Sequence, residues 1–134
     1  VLHYLHAKLG GWGSGTTTFI EPEAMAEYER SLTLAPEQAG DILPAVHTAC
    51  EDYRASAGID LVHDQESRDT GQKVRCDLLV LWGDRGVVHK MFKPLELWQA
   101  QCAAHVSGHV VPSGHFIPEE LPDLTIDSLR TFMV

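Results

Sequence analysis

The sequence predicts an α/β fold in which a helical segment, residues 1–72, precedes two parallel strands and their helices, residues 73–134. Three observations carry this. Through the first half, apolar residues recur at helical spacing between proline and glycine breaks. At Asp77 the period changes, and Leu78-Leu79-Val80-Leu81-Trp82 forms a continuous apolar run closed by Gly83. Such a run is the pattern of a strand buried on both faces of a parallel sheet, where neither face is left for water. Helical, strand and helical patterns then follow one another, the order of a crossover unit.

The opening residues read as a short helix. Gly10, Gly11, Gly13 and Gly15, with the Thr16-Thr17-Thr18 run, form a flexible break after it, because glycine keeps backbone freedom that a helix must remove. Pro22 suits a first helical turn, where its missing N–H has no intrahelical acceptor to satisfy, and Met25, Tyr28 and Leu32 make one apolar stripe of a helix expected to end near Leu34. A further helix is expected from about Pro44, with Val46, Cys50, Tyr53 and Ala57 on one face, and helical character resumes near Leu61 until Gly71. In the second part Leu95, Trp98 and Cys102 repeat at helical spacing behind Pro94. Residues 106–111 read as a short strand broken by Gly108, and Pro122, Ile126, Leu129 and Met133 give a closing amphipathic helix. The chain opens at Val1, without methionine, inside a helical pattern, so an N-terminal portion is expected upstream.

Composition narrows the function. With 44% hydrophobic and 22% charged residues over 134 positions, the chain has the make-up of one globular domain rather than of disordered or coiled-coil sequence. The formal net charge of -9 repels phosphate backbones, and no cluster of Lys and Arg interleaved with aromatics offsets it, so nucleic acid is not an expected partner. The longest strongly apolar run is far below the ~20 residues of a spanning helix, and the N-terminus lacks a basic-then-apolar signal, so neither membrane nor export is expected. Cys50, Cys76 and Cys102 are odd in number and lack CxxC spacing. That argues against a disulfide framework or a thiolate zinc site and fits a reducing cytoplasm.

Chemistry concentrates in Pro112-Ser113-Gly114-His115-Phe116-Ile117-Pro118-Glu119-Glu120-Leu121-Pro122, a histidine loop between an expected buried strand and the last helix. Imidazole titrates near neutral pH and so serves there as a general base, and a loop at the C-terminal edge of a strand can aim it into a cleft. Gly114 lets the backbone turn tightly beside it. In α/β-hydrolases the base sits at this place. His105 and His109 are four apart but straddle an expected helix end and a strand rather than one helical face, so metal ligation is not expected. His3 and His6 read as exposed helix residues, and Glu119 and Glu120 as helix N-terminal carboxylates favoured by the macrodipole.

Cys50-Glu51-Asp52-Tyr53-Arg54-Ala55, His63-Asp64, Gly71-Gln72-Lys73-Val74, Leu79-Val80-Leu81-Trp82-Gly83 and Ser113-Gly114-His115-Phe116-Ile117-Pro118-Glu119-Glu120 recur in that order in haloacetate (fluoroacetate) dehalogenases. The chain resembles the C-terminal part of that family over nearly all of residues 50–134, and Ala7-Lys8-Leu9, Trp12 and residues 22–28 resemble its cap. The resemblance implies the C-terminal portion of an α/β-hydrolase fold: a helical cap segment, then the last two parallel strands and their helices.

It also implies a mechanism. An aspartate displaces halide from the α-carbon of a haloacetate to form an ester, and water activated by histidine hydrolyses that ester. His115 holds the place of this catalytic base. Tyr53 holds the place of the cap tyrosine that donates its hydroxyl to the departing halide, and Trp12 matches a tryptophan lining the cap side of the pocket. The nucleophile, the arginines that grip the substrate carboxylate, the oxyanion-hole loop and the remaining halide ligands precede Val1 in the family pattern, so the chain alone is expected to be inactive. The acid that orients the histidine follows an earlier strand in these dehalogenases. Asp84 stands near the place that carries it in many other α/β-hydrolases, where the usual acid aligns closer to Gly86. Residues 35–43 read as longer than the family norm. No cofactor or metal is implied, and the partner is a small-molecule haloacid, with a homodimer left open for the complete protein.

Two other functions share parts of this pattern. An epoxide hydrolase uses the same Asp–His logic, with cap tyrosines protonating an epoxide oxygen. A non-catalytic relative would use the cleft only for binding; an upstream Asp in a Gly-x-Asp-x-Gly turn favours catalysis, and its absence favours binding.

Overall fold

The computed structural model describes residues 1–13, 15–33 and 45–134. The helix end expected near Leu34, the helix start expected at Pro44 and the long stretch at 35–43 lie outside the described residues. Contacts divide the chain into two compact units, Val1–His6 with Glu21–Gln72, and Ala7–Ile20 with Lys73–Val134. Ala7–Ile20, read from the sequence with the helical segment, thus packs with the strands.

Helix α1 (Leu2–Trp12) contributes its first residues to the first unit, which continues with α2 (Pro22–Thr33), α3 (Ala45–Ser56) and α4 (Ile59–Asp69). Helix α3 packs against both α2 and α4. Met25, Tyr28 and Leu32 are half-buried on α2 while Glu23, Glu27 and Arg30 face water, the stripe expected from their spacing. Arg30 grips Glu27 through two hydrogen bonds of 2.6 and 2.7 Å, which hold the Glu27 carboxyl below its ordinary range. Both groups are exposed, so water screens the pair. On α3 the structure departs from the sequence reading: Val46, Cys50, Tyr53 and Ala57 are all exposed, whereas Ala45 and Ala55 are half-buried. Their apolar spacing is real, but among the described residues nothing covers that face. Gly71, at φ +68°, closes α4 in the left-handed region that glycine enters without strain.

The second unit is built on β1 (Leu78–Gly83) and β2 (Val106–Val111), with α5 (Val87–Met91) and α6 (Pro94–Gln101) between them and α7 (Ile117–Glu120) and α8 (Pro122–Phe132) after them. The strands pair in parallel, Leu78 opposite Val106 through to Gly83 opposite Val111, and an isolated bridge from Val74 to Cys102 extends the pairing. The run at 78–82 is half-buried rather than buried, because β2 is its only strand neighbour among the described residues. Gly108 does not break β2; the ladder runs through it at φ +151°, where a Cβ would stand 1.9 Å from the Val80 carbonyl oxygen. Helix α1 likewise continues through Gly10 and Gly11, and the turn after it is held by Gly13 N–H to the Leu9 carbonyl at 3.1 Å and Gly15 N–H to the Gly10 carbonyl at 3.0 Å. Leu9 and Ile20 are buried at either end of that turn, which anchors it to the unit. The short helix α5 has no counterpart in the sequence reading, and α7 is a separate short helix where Glu119 and Glu120 read as the N-terminal carboxylates of a helix. Among the described residues no helix is long and apolar enough to cross a membrane.

Candidate active site

The second unit carries two loops, one after each strand, that are sewn to each other. Asp84 N–H donates to the Val111 carbonyl at 2.9 Å and Arg85 N–H to the Ser113 carbonyl at 3.2 Å. The loops approach so closely that only glycine fits: a Cβ on Gly83 would lie 2.0 Å from the Gly114 carbonyl oxygen. Ser113 is fully buried between them, and its hydroxyl donates to the Gly114 carbonyl at 3.3 Å. Parallel sheets present their functional loops at this C-terminal edge, where the strands end together.

His115 rises from this buried base with its side chain exposed. Its backbone N–H donates to the Trp12 carbonyl at 2.8 Å, and its ring meets Trp12 edge to face at 5.3 Å and Phe116 at 5.0 Å. The imidazole is one wall of a cavity of about 250 Å³ whose other walls include Trp82, Val87, Val88, Trp98 and Ile117. An exposed histidine on a fixed backbone beside an apolar hollow can take a proton from water attacking a bound ester.

The residue that fixes the backbone is Glu120. One turn of helix after Phe116, its side chain is only 3% exposed, and its carboxylate accepts the Gly114 N–H at 2.9 Å and the Phe116 N–H at 3.2 Å. Arg85 donates to the same carboxylate at 3.1 Å. The sequence reading assigned Glu120 to the helix dipole and missed Arg85. The signal was present in the spacing, since a carboxylate in the first turn of a helix can reach back to the N–H of the residue that caps it.

Of the sequence-derived site residues, Trp12 and His115 come together. Tyr53 lies in the first unit, on α3, with 61% of its surface exposed. Asp84 is exposed and stands 4.0 Å from Arg85, which also holds Glu120. His105 and His109 border an open groove of about 850 Å³ with Asp77 and Asp127, and no cluster of metal-ligating side chains occurs among the described residues.

The fold is that of the C-terminal portion of an α/β-hydrolase, a strand–helix–strand core with the histidine loop at its edge. No family model matches the chain. It is similar to the fluoroacetate dehalogenase of a Burkholderia species, at 34% identity over 125 residues covering 93% of this chain and 38% of that protein. Among solved structures it is similar to a protein of Nostoc sp. PCC 7120 described as an α/β hydrolase, at 38% identity and a TM-score of 0.80 over 99% of this chain and 42% of that one. It is also similar to a Pseudomonas aeruginosa protein described as an epoxide hydrolase, at 33% identity and a TM-score of 0.79 over 98% of this chain and 41% of that one. The chain spans about two-fifths of the length of each.

Proposed function

We propose that this chain provides the base-bearing part of a hydrolase that cleaves the carbon–halogen bond of short haloacids such as fluoroacetate, in a reducing cytoplasm. An aspartate encoded upstream attacks the α-carbon and forms an ester as halide leaves. Water then attacks the ester carbonyl, its proton passing to His115; as the acyl–oxygen bond breaks, protonated His115 returns a proton to the departing alkoxide, the hydroxyacid leaves and the aspartyl carboxyl ionises again. Tyr53 donates its hydroxyl to the departing halide, and Trp12 lines the cap side of the pocket.

The observation that carries this reading is the setting of His115: an exposed imidazole on a loop whose successive amides are tied down, at the wall of an apolar cavity. The likeness to a fluoroacetate dehalogenase supports the haloacid substrate. The likeness to a protein described as an epoxide hydrolase favours a second reading, in which the same aspartate and His115 open an epoxide. The full-length protein, assayed for halide release from fluoroacetate and chloroacetate and for diol formation from a styrene-type epoxide, decides between them. Halide without diol supports the first; diol without halide overturns it.

A further inference from the structure

We infer that Glu120 is the positioning residue of His115, acting through the backbone on either side of it; the reading rests on His115 being the hydrolytic base. A carboxylate withdrawn from water needs donors, and those of Glu120, with 3% of its side chain exposed, include Gly114 N–H, Phe116 N–H and the Arg85 guanidinium. The two amides bracket His115, whose own N–H is held by the Trp12 carbonyl. Three consecutive amides are thus fixed, and with them the Cα–Cβ direction from which the imidazole projects. A carboxylate serving only to cap α7 would need the Phe116 N–H alone. The bond to Gly114 reaches past His115 and does nothing for the helix.

The clamp serves the step that uses His115 and leaves halide displacement alone. In the full-length protein, Glu120→Gln and Glu120→Ala should keep the single-turnover halide burst within about 3-fold while steady-state turnover falls about 10- to 100-fold, the worth of hydrogen bonds to a charged group. Gln, which retains one acceptor oxygen, should fall less than Ala. Equal loss of burst and turnover in folded protein, or turnover unchanged in both variants, overturns the inference. A second arm needs no haloacid: in Glu120→Gln, whose single acceptor oxygen can keep only one of the two bonds, amide exchange at Gly114 or at Phe116 should quicken about 10-fold or more, while Leu78, bonded to the His105 carbonyl, is unchanged. If the wild type releases no halide, the haloacid reading fails and exchange alone decides; unchanged protection at Gly114 and Phe116 then overturns the clamp. Should Glu120→Ala fail to fold, Glu120→Gln and Arg85→Gln carry both arms.

Discussion

Trp12 and His115 meet twice, through a 2.8 Å hydrogen bond from the His115 N–H to the Trp12 carbonyl and through an edge-to-face contact of their rings at 5.3 Å. The first contact survives any substitution at position 12 other than by a residue that shifts the chain; the second needs an aromatic. Lys8 Nζ lies 4.1 Å from the centre of the same indole, a second contact on the ring. Trp12→Ala should therefore lower steady-state turnover by up to about 10-fold, the worth of an aromatic pair, and Trp12→Phe should recover most of it. Kinetics of both variants in the full-length protein check this; equal loss in the two would show that the ring contact with His115 is not what turnover needs.

In the proposed mechanism His115 serves only the second of two chemical steps. Displacement requires a carboxylate and a polarised halide, whereas hydrolysis requires a base. Full-length protein carrying His115→Gln should release one equivalent of halide in a burst and then stall. Its intact mass should rise by one carboxymethyl group, mapping to an upstream aspartate after digestion. Continued turnover would show that another group activates water.

Tyr53→Phe should slow defluorination far more than dechlorination, because a donor matters most where charge on the leaving halide is hardest to stabilise. Losing such a donor costs on the order of 3 kcal/mol, about 100-fold in rate. Parallel rates on fluoroacetate and chloroacetate measure it, and an identical slowing of both would mean that Tyr53 does not touch the halide.

Two glycines should prove irreplaceable for steric reasons. A Cβ at Gly114 would stand 2.6 Å from the Gly13 carbonyl carbon and oxygen, and one at Gly108 would stand 1.9 Å from the Val80 oxygen. Both obstacles are backbone and cannot rotate away. Gly114→Ala and Gly108→Ala should each destabilise the full-length protein by about 1–3 kcal/mol or more, read by denaturant unfolding. Gly114→Ala should also lower turnover, since the shift falls beside His115. Wild-type stability in either variant would refute the close approach.

The strand at 78–83, the helices behind Pro22 and Pro94 and the histidine loop were legible in the residues, because hydrophobic period and proline position act locally. The exposure of α3's apolar residues and the half-burial of β1 were not, because spacing states which side chains share a face and never what lies against it. Glycines misled in the same way: Gly10, Gly11 and Gly108 read as breaks, yet helix and strand run through them, since their neighbours' packing and hydrogen bonds decide what a permissive residue does.

By itself the sequence determined that a histidine stands on a loop after a strand, and that the chain resembles α/β-hydrolases of the dehalogenase type. Only the tertiary structure decided what holds that histidine. The carbonyl of Trp12 comes from 103 positions upstream, and the Glu120–Arg85 pair joins residues 35 apart. Such partners meet only when the fold brings distant peptide groups within hydrogen-bond distance, and no local period in the sequence encodes that meeting.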